Sequence, residues 1–279
     1  LVSHSQSYQT DPSSDGTAPQ VPADQLEEVL GQLNTALAGA HQLGNDAASQ
    51  TLVAASAPVV RQLLSELQTY DDPSITSVTS SIVSSIEAGN FQRALDDIAS
   101  IQQSVSSQDQ ALLRSIMGYV TNNLLKNPPS AVLVSFVRKI SESLISGNFS
   151  QALNALTEAI DRSKEYESFL TQLQSISNSI VTFVIGELPA LQDSSTSSTI
   201  ESDIKSDNYS TALETIYNKV KDDQTRYESF QPLINFVVTE LLDQATYGST
   251  NESLKLALTQ AQSALAAGGH SDALIQLAM

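Results

Sequence analysis

The sequence predicts an all-α fold. Tandem three-helix repeats with a period of about 60 residues would stack into a solenoid-like or elongated helical bundle, preceded by an extended N-terminal arm. Three observations carry this expectation. A turn, Gly/Asp-Asn-aromatic followed by Ala-Leu, occurs at Asn90, Asn148 and Asn208, 58 and 60 residues apart. The tetrapeptide Tyr166-Glu167-Ser168-Phe169 returns unchanged at Tyr227-Glu228-Ser229-Phe230, 61 residues later. Hydrophobic residues make up 41% of the chain but aromatics only 5%, with no Trp, so the core must be Leu, Ile, Val and Ala, which suits helix-on-helix packing.

The turn joins one helix end to the next helix start. Gly89, Gly147 and Gly268 stand where a helix stops on a residue at positive φ; Asp207 replaces glycine in one copy. The asparagine that follows caps the next helix through its side-chain oxygen. Phe91, Phe149 and Tyr209 then fall one residue inside, with Ala-Leu three and four positions on, so aromatic and leucine share a face. Over about eight residues per unit this resembles the turn between the two helices of a tetratricopeptide unit, although that family's period is about 34 residues. The resemblance implies close packing of two helices across a small alanine.

Taken in order, residues 1–22 form a polar arm in which Pro12, Pro19 and Pro22 exclude helix. Val2, Tyr8 and Val21 are its apolar anchors for docking on a neighbouring molecule. The all-α repeat domain spans 23–279, in units of about 23–70, 71–127, 128–192 and 193–279. The first helix, Gln25 to about Gly39, carries the stripe Leu26, Val29, Leu30, Leu33 and Leu37. Gly44-Asn45-Asp46 reads as a degenerate turn, followed by a helix to about Ala55 and a third opened by Pro58. The second unit has helices from Ile75, Phe91 and about Gln108, closed by Asn127-Pro128-Pro129. The third has Val132–Ile145, Phe149–Lys164 and Tyr166 to about Leu188. The fourth has Thr199–Ser206, Tyr209–Asp222 and Tyr227–Ala245, then Ser253–Ala267 and a short helix to Met279. The long helices end alike, at Glu66, Glu187 and Glu240, with Asn122 in the corresponding place of the second unit.

The net charge of −18 argues against nucleic acid and anionic membrane surfaces as partners. No apolar run reaches the roughly 18–20 residues of a transmembrane helix. There is no cysteine, which a chain of this size tolerates in either redox compartment. Three N-x-S sequons, at Asn148, Asn208 and Asn251, are candidate glycosylation sites, and the start at Leu1 suggests removal of a leader. Together these lead to the expectation of an extracellular, secreted protein.

No catalytic signature emerges. The three histidines, His4, His41 and His270, lie at no metal-ligand spacing, and neither a G-x-S-x-G elbow nor a phosphate-binding glycine motif is present. The acidic pairs Asp71-Asp72, Asp96-Asp97 and Asp222-Asp223 read as caps or solvated faces. Glu66, Glu187 and Glu240 read as surface or capping contacts, because a di-metal bundle would also need Glu-x-x-His pairs. Tyr166, Phe169, Tyr227 and Phe230 read as packing between units, and Ile180, Val181, Phe183, Val184 and Ile185 as a deeply buried helix that could also wall an apolar cavity.

The expected function is therefore that of a non-enzymatic structural or assembly protein without a cofactor, whose partner is itself or another extracellular protein. Two alternatives stand beside it: a secreted carrier of a fatty acid or other apolar ligand, and a repeat adaptor that binds a partner helix. In its Ser/Thr-rich, Cys-free, helical character the chain also resembles fungal hydrophobic-surface-binding and cell-wall mannoprotein domains.

Overall fold

The computed structural model describes residues 23–67, 72–188, 194–221 and 224–248, with the single positions 256, 259, 260 and 263. Among these residues the fold is all helical: α1 (Ala23–Gln42), α2 (Asp46–Leu67), α3 (Pro73–Glu87), α4 (Phe91–Ile101), α5 (Ser107–Leu124), α6 (Ala131–Ile145), α7 (Phe149–Arg162), α8 (Glu167–Glu187), α9 (Ser194–Lys205), α10 (Tyr209–Val220) and α11 (Gln224–Gly248). A single 3-10 turn, Gln102–Ser104, extends α4. The arm 1–22, with Val2, Tyr8 and Val21, lies outside the described residues, as do the sequon at Asn251, Gly268, and any final helix to Met279.

The turns form as the residue types dictate. Gly89 and Gly147 sit at φ 71° and 69°, and Asp207 at 57°. Each is bracketed by the same two backbone bonds. The Gly89 amide donates to the Ile86 carbonyl and the Asn90 amide to Ser85; Gly147 donates to Leu144 and Asn148 to Ser143; Asp207 donates to Ile204 and Asn208 to Asp203. These satisfy the last carbonyls of the preceding helix. The Asn90 side chain then accepts from the Arg93 amide at 3.3 Å and Asn148 from Gln151 at 3.2 Å. Asn208 makes no such side-chain cap.

The first unit departs from expectation. Gly44 (φ 62°) and Asn45 reproduce the backbone turn and its cap, with Asn45 Oδ1 accepting from the Ala48 amide at 3.1 Å, although Asp46 stands where the other turns carry an aromatic. Helix α2 then runs on through Pro58. Pro58 and Ala54 both face solvent, so the hydrogen bond that proline removes falls on the wet side of the helix, where water serves the Ala54 carbonyl. Pro232 also stands inside α11, but there it is buried. In the fourth unit α9 starts at Ser194, not Thr199. The serines placed in a loop there supply a first helical turn, with Ser197 buried.

Packing repeats in one respect. Helix α1 lies on α5, α4 on α8 and α7 on α11. Each turn aromatic meets an aromatic of its long helix: Phe91 and Tyr119 at 6.4 Å, Phe149 and Phe183 at 6.2 Å, Tyr209 and Phe236 at 6.5 Å between centroids. Edge or tilted geometry at these separations is favourable beyond area burial. These pairs fix the register of the long helices. Asn123, not Asn122, is the counterpart of Glu187 and Glu240; Asn122 corresponds to Gly186 and Thr239. Helix α5 also packs on α6, so the contacts run across Pro128-Pro129. The tetrapeptide Tyr-Glu-Ser-Phe proves to occupy two different places. Tyr166 is the N-cap of α8 and 37% exposed, whereas Tyr227 lies inside α11 and is 5% exposed. Tyr166 is thus not the packing residue it was expected to be, while Phe169, Tyr227 and Phe230 are buried.

Two glycine substitutions separate turn strain from packing. A Cβ at Gly147 meets nothing closer than Arg114 at 3.7 Å, so Gly147→Ala should lose about 1 kcal/mol through φ alone. A Cβ at Gly118 would lie 2.5 Å from Ile145 Cγ1 and 3.1 Å from the Ser141 carbonyl. Gly118→Ala should therefore lose about 1–3 kcal/mol by overpacking α5 on α6. Urea unfolding measures both, and an unchanged midpoint in either variant would refute that assignment.

Candidate functional site

The contacts of α1 on α5, α4 on α8 and α7 on α11 each carry a different set of polar side chains. At the α1–α5 contact three buried residues interlock. Asn122 Nδ2 donates to Asn34 Oδ1 at 2.6 Å, Asn34 Nδ2 donates to Ser141 Oγ at 2.9 Å, and Ser141 Oγ donates to the Gly118 carbonyl at 2.9 Å. All three are at most 3% exposed. Such a chain ties α1, α5 and α6 in one register, because a slip would strand buried amides without partners.

At the α4–α8 contact the polar groups are partly wet. Gln92 Nε2 donates to Asp96 Oδ1 at 3.1 Å and to the Ser175 carbonyl at 3.2 Å, and Ser175 Oγ donates back to Gln92 Oε1 at 3.0 Å. Ser179 Oγ donates to Asp96 Oδ1. Beside them, α9 contributes Ser198, Glu201 and Lys205 to a groove of about 740 Å³. Its walls are hydroxyls, amides and carboxylates, with Ala99 the sole aliphatic residue in its lining. Burial raises the Glu201 carboxyl above its usual range, and Lys205 opposes that. Near the end of α8, a Cβ at Gly186 would fall 1.8 Å from Gln102 Oε1, so the Gln102 amide occupies the space beside this glycine.

At the α7–α11 contact a partly exposed ion pair lies beside a buried carboxyl. Lys164 Nζ donates to Asp243 Oδ1 at 2.9 Å and lies 2.9 Å from Asp161. Burial works against the Lys164 ammonium, but these two hydrogen bonds outweigh it and raise its pKa. Glu240, 9% exposed, is therefore a buried group, not the surface contact expected of it. Burial pushes its carboxyl up to about 7; Asp243 and Asp207 add to the shift, and Lys164 opposes it. Nearby, burial with Glu240 and Asp207 raises the Tyr209 hydroxyl. The side chains of Glu66 and Glu187 lie outside the described residues.

The remaining expected residues are dispersed. Asn148 and Asn208 stand exposed at the starts of α7 and α10. Asp72 caps α3 by accepting from the Ser74 amide at 2.8 Å, Asp97 accepts from Ser81 Oγ at 2.7 Å, and Asp71, Asp222 and Asp223 are not described. His41 is half-buried, not exposed, in a pocket of about 520 Å³ with Lys126 and Asp46. Burial, with Lys126 assisting and Asp46 opposing, lowers its pKa. Ile180, Val181, Phe183, Val184 and Ile185 are at most 1% exposed, the buried helix that was expected. Among the described residues no three His, Cys, Asp or Glu side chains converge as a metal site requires, and no helix is long and apolar enough to cross a membrane. Sequence reasoning missed Asn34 and Ser141, which lie 107 residues apart and carry no local signal, and Lys164.

No protein-family model matches the chain, and no curated protein or solved structure matches it either.

The raised Glu240 carboxyl links stability to pH with a definite sign. Between its ordinary value of 4.5 and about 7, the folded chain keeps a proton that the unfolded chain releases. That contribution is complete below about pH 4.5, falls as pH rises toward 7, and stays lost above it. Glu240→Gln should therefore gain stability relative to the parent between pH 5 and pH 8, by about 1 kcal/mol or more. Urea unfolding at the two pH values tests this, and a difference from the parent that does not change with pH would refute it.

Proposed function

We propose that this chain is a non-enzymatic, secreted structural or assembly protein: a stack of three-helix units that associates with further copies of itself. The observation that supports this reading most is the recurring contact of α1 on α5, α4 on α8 and α7 on α11. A body built by repeating one helix–helix contact grows in one direction and presents a different surface at each end. The arm anchors Val2, Tyr8 and Val21 lie outside the described residues, and the reading does not depend on them. The groove between α4, α8 and α9 does not favour the apolar-carrier alternative, because an acyl chain there would meet hydroxyls, amides and charges; the His41 pocket has an apolar wall of Val53, Ile86 and Phe91 but holds Lys126 and Asp46 as well.

Secretion is supported by the placement of two sequons. Asn148 and Asn208 are both exposed at helix starts, where an oligosaccharide can be attached without disturbing a packed face.

Two measurements test the proposal. Sedimentation velocity over a wide concentration range should show species larger than the 29.8 kDa chain, and a single monomer boundary at every concentration would overturn self-association. The intact mass of the native protein should exceed that of the bare chain by whole oligosaccharides, and a mass equal to the bare chain would remove the glycan argument for secretion.

A further inference from the structure

Resting on the assembly reading above, we infer that copies join head to tail, with α10 of one copy seated on the exposed face of α2 in the next. The seat repeats the contact that α4 makes on α8 and α7 makes on α11 inside the chain.

Register supplies the argument. The long helices align through their closing residues, so that Ser65 of α2 corresponds to Asn122, Gly186 and Thr239. Pro58 and Pro232 then fall at the same position, seven residues earlier in each, which supports the alignment independently. The positions four and seven residues before each closing residue are Gly118 and Ser115 in α5, Thr182 and Ser179 in α8, and Asn235 and Pro232 in α11. All six are buried or half-buried; α4 packs against α8 and α7 against α11, while in α5 Gly118 faces Ile145 and Ser141 of α6. In α2 the same positions, Arg61 and Pro58, are exposed, and so is Ser65. This stripe continues through Ala54 and Thr51, also exposed, at the spacing of one helix face. Apart from Arg61 its residues are small, as are Ser179 and Thr182 on the face of α8. Among the described residues no helix occupies it in the way that α4 and α7 occupy theirs.

Helix α10 holds the complementary position at the other end of the series. Aligned on the turn asparagines, Ser210 and Glu214 correspond to Gln92 and Asp96, the residues by which α4 grips Ser175 and Ser179 of α8. Both are exposed in α10, which packs on α9 and α11. Docked in the same register, Glu214 reaches the position of Pro58, one turn from Arg61. Arg61 already pairs with Glu87 across α2 and α3 and remains more than half exposed, leaving its guanidinium open to a second carboxylate. The contact is heterologous and does not close on itself, so it generates linear chains rather than a symmetric dimer.

Two surface substitutions on the full chain test this. Ser65→Arg blocks the α2 face, and Glu214→Arg reverses the charge on α10. Both positions are exposed, so circular dichroism and the unfolding midpoint should match the parent. In sedimentation velocity each variant alone should associate at least about tenfold more weakly than the parent, since like charges and bulk at an interface oppose docking. Mixed one to one, the pair should form a dimer that grows no further, because each variant keeps the face the other lacks. A parent that associates while both variants associate equally well overturns the head-to-tail contact and leaves the assembly reading standing. A mixture that stays monomeric also overturns it. A parent that is monomeric throughout overturns both.

Discussion

The long helices of this chain cannot be solvated, and the rest of the architecture answers that constraint. The second halves of α5 and α8 are buried on nearly every side: Met117, Tyr119 and Val120 are fully buried, and Ile180 to Ile185 are all at most 8% exposed. A helix that is apolar or buried all round needs cover from more than its own unit. Its own second helix supplies one side, through the pairs Phe91–Tyr119, Phe149–Phe183 and Tyr209–Phe236. A second helix from the preceding part of the chain supplies another, and in α8 the small residues Ser179 and Gly186 face it. The polar devices at these contacts, an asparagine–serine chain, a glutamine–aspartate clasp and a lysine–aspartate pair, differ in chemistry but occupy comparable places.

This arrangement explains why the acidic residues are not uniformly on the surface. With a net charge of −18 the chain repels itself, and burying a further carboxylate at Glu240 is unfavourable unless it holds a proton. Lys164, bonded to Asp243 and Asp161, offsets part of that cost. The same junction couples the α7–α11 contact to pH, so the last contact in the series responds to conditions that leave the neutral Asn34–Asn122–Ser141 contact untouched.

What the sequence disclosed, and what it hid, follows the range of the interaction involved. Turns are local: Gly89, Gly147 and the Asn90 and Asn148 caps need only five or six residues, and the letters specify them. The stop at Asn127-Pro128-Pro129 is equally local. Pro58 misled because a proline's cost depends on which side of the helix loses its hydrogen bond, and that is decided by packing. The serines at 194–198 misled because their low helix propensity is overridden by burial of Thr196 and Ser197. Tyr166 and Tyr227 share four letters but differ in what precedes them, so one caps a helix and the other lies inside it. The register error at Asn122 was invisible until Tyr119, Phe183 and Phe236 were placed against their partners. The long-range polar contacts, Asn34 with Ser141 and Lys164 with Asp243, join residues too far apart for any periodicity to reveal.

The central claim is that the contacts of α4 on α8 and of α7 on α11, between helices distant in sequence, hold the long helices in place. Native-state hydrogen exchange tests it most directly. If the claim is right, the amides of α4 and α8 open together in one cooperative step near the global unfolding free energy, as do those of α7 and α11, although each pair spans two units. If instead α3, α4 and α5 exchange as one block and α6, α7 and α8 as another, at clearly different free energies, the units are independent and the account fails.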